Sequence, residues 1–224
     1  MPRVRTLEEE GQRLTLRDLG THHELLLGQV PILSSAALAT ERAFGELVTS
    51  LSPPSPGRDP ETPSRVLVGG LGFGATLQGV LSVVGPDAEV VVVEKLGAVI
   101  ALLRGELAHL APGVLDDRRV RLVHGDVAAV IAAERGLDAI LLDVDNGPGW
   151  ASFRANAALY TPAGLGAARV ALRPGGALAV WSGYPADAFV GQLRRAGFSP
   201  RVVPLHERGT VRARAYVGQR GPPV

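Results

Sequence analysis

From residue 65 onward, short runs of unbroken apolar residues alternate with stretches of helical character. That alternation restricts the chain more than any other feature. The runs are Arg65–Val68, Glu89–Val93, Val120–Val123, Ala139–Leu142 and Ala177–Trp181. Helical segments begin at about Ala75 and recur at Leu96–Leu110, Val127–Arg135, Ala163–Leu172 and Ala186–Ala196. A strand with one wet face alternates apolar and polar residues; these runs do not, so they belong to a parallel sheet covered on both faces. Strand–helix alternation at this spacing predicts a Rossmann-like, doubly wound α/β fold. Two more strands, Arg201–Leu205 and Val211–Val217, have no helix between them. They predict an antiparallel pair at one edge, which makes a seven-stranded sheet with a reversed last strand.

Ahead of this region, Arg13–Leu19 and Glu24–Val30 flank Gly-Thr-His-His and read as a small β-hairpin. Ala36–Leu51 reads as a helix with Phe44 and Leu47 on one face. The stretch LSPPSPGRDPETPS, residues 51–64, is too rich in Pro and Ser for regular structure. The expected organisation is an N-terminal hairpin and helix over 1–51, a Pro-rich linker over 52–64, and a ligand-binding Rossmann-like domain over 65–224.

Composition then removes whole classes of function. Lys and Arg total 23 against 22 Asp and Glu, so no electrostatic footprint points to nucleic acid or an acidic membrane. The absence of Cys excludes disulfides, Cys-ligated zinc and thiol catalysis. No metal-ligand spacing such as HExxH occurs. The N-terminus carries no apolar stretch for export, and the run at Val90–Val93 is far too short to span a bilayer. A soluble, cytoplasmic protein without a membrane or nucleic-acid partner is expected.

The chemistry concentrates at strand ends. In VLVGGLGFGATL a strand ends, Gly70, Gly72 and Gly74 turn the chain, and a helix starts. Such a turn lets the backbone approach a ligand and point amides at it. Glu94 ends the second strand twenty residues past Gly74, where an acid accepts hydrogen bonds from ribose hydroxyls. These two features also fit a dinucleotide dehydrogenase, because Gly70–Ala75 satisfies G-x-G-x-x-A. Three others argue otherwise. Asp126, just past the third strand, stands where an adenine amino group could be held. Asp143, Asp145 and Asn146 follow the fourth strand, and Arg173-Pro174-Gly175-Gly176 leads into the fifth.

The order GGLGFG, VVVVE, RVRLVHGD, DAILLDVD, LYTPAGLGAARVALRPGGALAVW resembles the class I S-adenosylmethionine-dependent methyltransferase superfamily. Within it the chain looks most like the spermidine synthase (polyamine aminopropyltransferase) family. The resemblance covers residues 65–200 and extends weakly into Leu25–Leu51. It implies that Gly70, Gly72 and Gly74 line the methionine and ribose end of the donor. It implies further that Glu94 holds the ribose, Asp126 and Val127 the adenine, and that Asp143 lies beside the sulfonium. Tyr160 would lie near the acceptor. The family's helix at Ala36–Leu51 carries a His-Glu pair near the donor; this chain has Thr40-Glu41, so only the acid is transferable. Members commonly dimerise, so a homodimer is the oligomer the resemblance allows.

The chain departs from that family in three places. Aminopropyltransferases carry an acid in the glycine turn, and this chain has Phe73. They carry an Asp three places after the strand-end Asp, and this chain has Asn146, with Asp145 one place early. Its N-terminal part offers one hairpin rather than a full β-domain. Decarboxylated S-adenosylmethionine has lost its carboxylate and suits an acid in the turn; intact S-adenosylmethionine keeps it and would be repelled. Phe73 therefore favours methyl transfer to a small-molecule acceptor. Aminopropyl transfer from the decarboxylated donor is the alternative, and a non-catalytic member acting as a dimer partner is another. For either reaction Asp143 or Asp145 is the base or amine-orienting group. Asn146 and Trp150 complete the expected acceptor wall. His124 is given no role.

Overall fold

The structure is a computed structural model. It describes residues 3–9, 11–36, 38–51, 64–144, 147–148 and 156–221. Strands β1 (Arg3–Glu9), β2 (Gln12–Asp18), β3 (His23–Leu27) and β4 (Val30–Ser34) form an antiparallel sheet in chain order. The expected hairpin is its middle pair, with Leu14 opposite Leu27 and Leu16 opposite Leu25. Two strands are added to it. The second expected strand turns at Gly28 and returns as β4, and the charged β1 joins as an edge.

Helices α1 (Leu38–Glu46) and α2 (Val48–Leu51) follow, with the expected single helix broken at Leu47. Phe44, Val48 and Leu51 are buried in the same core as Val66, Val68 and Leu77.

Seven strands make the second sheet. They are β5 (Arg65–Gly69), β6 (Glu89–Glu94), β7 (Val120–His124), β8 (Leu137–Leu142), β9 (Leu172–Ser182), β10 (Phe198–Glu207) and β11 (Thr210–Arg220). The order is β10-β11-β9-β8-β5-β6-β7, and β11 runs antiparallel to both neighbours. The fold class read from the sequence is therefore the one observed, with the last strand inserted beside β9. The crossover helices are α3 (Ala75–Val83), α4 (Gly97–Arg104), α5 (Val127–Ala133), α6 (Pro162–Ala171) and α7 (Asp187–Arg195). Every residue of β8 is buried, as a doubly covered strand requires.

Two contacts position the site. Helices α1 and α3 meet backbone to backbone: a Cβ at Gly45 would lie 2.1 Å from the Thr76 carbonyl oxygen, and one at Gly79 would lie 2.1 Å from that of Arg42. Only glycine allows this approach, and it lays the second half of α1 across the first half of α3. A separate apolar cluster of Leu14, Leu16, Leu25, Phe73, Val99 and Leu102 fastens the N-terminal sheet to α4.

Candidate active site

Strand order reverses between β5 and β8, since β5 pairs with β6 on one side and β8 on the other. In an open α/β sheet the crevice beyond the carboxyl ends at that point takes the ligand. A cleft lies there, and Gly70, Gly72, Glu94, Asp126, Val127 and Asp143 line it. Six of the residues singled out from the sequence thus meet in one place. At Gly70 (φ +90°) a Cβ would sit 2.1 Å from the Asp143 carbonyl oxygen, so the glycine is demanded by close approach of β5 and β8.

Glu94 is buried. Its Oε2 accepts from the Leu71 amide at 2.9 Å and its Oε1 from the Leu96 amide at 2.8 Å. Burial raises its pKa, and hydrogen bonds from the Leu96, Leu71, Gly72 and Lys95 amides oppose the rise. Those amides fix the carboxylate at the glycine turn, on the lining of the cleft.

Asp143 lies half-buried just past β8. Its Oδ2 accepts from the Thr76 hydroxyl at 2.5 Å. Burial pushes its carboxyl up to about 6, against the Thr76 hydrogen bond. Thr76 also faces the carbonyl oxygen of Glu41 at 3.2 Å. Burial, and then the charge of Asp143, hold the Glu41 carboxyl well above the usual carboxylate range. Thr76 thus links the Asp143 carboxyl, which lines the cleft, to the backbone of Glu41, whose own carboxyl feels the charge of Asp143. Glu41 had a sequence signal: it stands three and seven residues before the buried Phe44 and Val48, so an acid occupies a core-facing stripe.

Asp126 caps α5, with its Oδ1 accepting from the Ala128 amide at 2.8 Å. Its Oδ2 faces the Lys95 ammonium at 4.0 Å. Glu9, from β1, was not foreseen. Its two oxygens accept from the Gly97 and Ala98 amides at 2.9 and 2.6 Å, capping α4 from the other sheet. Leu33, Lys95 and Asn156 also line the cleft and were not singled out as site residues.

Other expectations are corrected. Gly74 does not line the cleft; a Cβ there would meet that of Ala111 at 2.6 Å, so close packing demands glycine at this position. Tyr160 is buried in the core, its ring edge-on to Phe189 at 5.7 Å, away from the cleft. Phe73 is buried among Leu14, Leu16 and Leu25 and does not line the cleft. The argument that Phe73 favours methyl transfer falls with that placement. Asp145, Asn146 and Trp150 lie outside the described residues. Among the described residues, no three metal-ligating side chains cluster, and no helix is long and apolar enough to cross a membrane.

No protein-family model and no curated protein matches the chain. Solved structures do. One is a spermidine synthase in complex with the transition-state analogue AdoDATO: 20% identity, TM-score 0.73, 99% of this chain and 73% of that one. The spermidine synthase from Thermotoga maritima matches at 19% identity and TM-score 0.74, over 99% and 73% of the two chains. A probable spermidine synthase from Corynebacterium glutamicum ATCC 13032 matches at 16% identity and TM-score 0.64, over 98% and 81%. At these identities the likeness shows the fold: the chain has a spermidine synthase-like, class I methyltransferase-like fold.

Proposed function

We propose that the protein is a transferase of the aminopropyltransferase kind, moving an aminopropyl group from decarboxylated S-adenosylmethionine to a small amine. The observation that carries this reading is the Asp143 carboxyl in the floor of the cleft, with the Glu41 carboxyl near enough to feel its charge. Lys95, which also lines the cleft, stands 4.0 Å from Asp126, beyond a different strand. Such a floor attracts a donor that carries a sulfonium and an ammonium but no carboxylate, and it repels the carboxylate of intact S-adenosylmethionine. It also attracts a cationic amine. The likeness to spermidine synthases, one of them bound to AdoDATO, supports the same choice over methyl transfer.

The donor's residues are Gly70 and Gly72 at the turn, Glu94 at the ribose hydroxyls, and Asp126 with Val127 at the adenine. The donor supplies its own leaving group, so the protein chiefly aligns and desolvates. The amine nitrogen forms a bond to the propyl carbon as the carbon–sulfur bond breaks, and the electron pair leaves on sulfur as neutral 5′-methylthioadenosine. Before attack the amine must give up one proton. Asp143, with its carboxyl near 6, is ionised at neutral pH and accepts it, becoming a neutral acid that stays in contact with the Thr76 hydroxyl.

Calorimetric titration with decarboxylated and intact S-adenosylmethionine tests the reading. Preference for the decarboxylated form, with 5′-methylthioadenosine released on adding putrescine, supports it. Preference for the intact form, or binding of neither by folded protein, overturns it.

A further inference from the structure

Lys95 is the chain's one lysine among 23 basic residues. It follows β6 directly and lines the donor cleft. Three contacts tie this point to the end of β7. The Gly125 amide donates to the Glu94 carbonyl at 2.9 Å. The His124 ring stands with Nε2 3.1 Å from the Lys95 carbonyl, to which its N–H donates. The Lys95 ammonium faces Asp126 Oδ2 at 4.0 Å. The backbone of Lys95 is therefore held while its side chain stays exposed by 43%.

That ion pair adds little to stability, because exposed pairs at such distances are worth about 0–1 kcal/mol. Nor does either group close on the other. Asp126 spends Oδ1 on the Ala128 amide, while its Oδ2 stands 4.0 Å from the Lys95 ammonium, and both residues line the cleft. An arginine, the residue this chain uses at the other 22 basic positions (23 less Lys95), would grip Asp126 with its planar fork and consume that oxygen. A lysine is a compact charge with three rotatable donors and leaves the oxygen available.

Resting on the adenosyl-donor reading above, we propose that Lys95 is a specificity-determining residue for the donor's base. Its ammonium and Asp126 Oδ2 form a donor–acceptor couple that reads the amino edge of adenine. Asp126 accepts from the 6-amino group, and Lys95 donates to a ring nitrogen flanking it. His124 positions the lysine through its carbonyl.

The probe is 5′-methylthioadenosine, which has the base and ribose without the sulfonium or amine. Its Kd is measured for wild type, Lys95→Met and Lys95→Arg, each checked for folding by circular dichroism. Lys95→Met should weaken binding about 5- to 20-fold, the worth of one charge-assisted hydrogen bond. Lys95→Arg should weaken it too, by locking Asp126. The 1-deaza or the 7-deaza analogue should cost wild type a similar factor and cost Lys95→Met almost nothing, which identifies the nitrogen contacted. Binding of the parent by Lys95→Met within twofold of wild type overturns the inference and leaves the donor reading standing, as do equal analogue penalties in both proteins. Failure of folded wild type to bind the probe at all overturns the donor reading, and this inference with it.

Discussion

The two ends of the parallel strands treat charge in opposite ways. At the amino ends acids meet arginines. Asp138 binds Arg173 at 2.5 Å and the Arg65 amide at 2.7 Å; Glu134 takes Arg121 at 2.7 Å and Arg65 at 3.1 Å; Glu89 takes Arg65 at 2.9 Å. At the carboxyl ends Glu94 and Asp143 are satisfied by amides and a hydroxyl, and burial raises both pKa values. Paired charges at one end hold strands together. At the other end Glu94 and Asp143 are held by neutral donors, and Asp126 faces the Lys95 ammonium only at 4.0 Å. Stability and function thus occupy opposite edges of one sheet, so they should separate in experiment.

The sharpest break is Asp143→Asn. It should lower aminopropyl transfer by about 10²–10⁴-fold while leaving the fold intact, read by product formation alongside circular dichroism. A loss of fold without the pH effect below would merge the two edges again. The opposite edge answers with stability. Asp138→Ala strands the largely buried Arg173 guanidinium, so denaturant unfolding should report a loss of about 3 kcal/mol, with donor affinity unchanged.

The pH dependence of stability sharpens the contrast. Folding raises the Asp143 carboxyl from its ordinary 3.8 to about 6, so the folded state holds that proton more tightly than the unfolded one. Its contribution is complete below about pH 4 and is lost as pH rises through about 6. Ligand-free protein should be less stable at pH 8 than at pH 5 by about 1–3 kcal/mol, and Asp143→Asn should flatten the curve. Glu41 acts in the same direction. A slope that survives in both Asp143→Asn and Glu41→Gln would place its origin elsewhere. The smallest effect is expected at Glu9→Ala. Losing the cap on α4 should cost about 1 kcal/mol and speed hydrogen exchange at the Gly97 and Ala98 amides.

Legibility in the sequence followed the range of the interaction. Continuous apolar runs and helical periods are local, so the doubly wound sheet and its edge pair were readable. The glycine turn, Glu94 and the strand-end aspartates sit at element boundaries, so their convergence on one crevice was readable too. Edge strand β1 was not: Arg3, Arg5, Glu8 and Glu9 give it no apolar face to announce a strand. Nor was the direction of Phe73, because side chains on a turn follow no period. The sequence alone determined that acids would stand at the carboxyl ends of a parallel sheet. Only the tertiary structure decided which of them meet. Glu41 reaches Asp143 because Gly45 and Gly79 let two helices touch, and Glu9 reaches α4 because an apolar cluster fastens one sheet to the other. Packing brings together residues that chain distance keeps apart, and no local pattern encodes that.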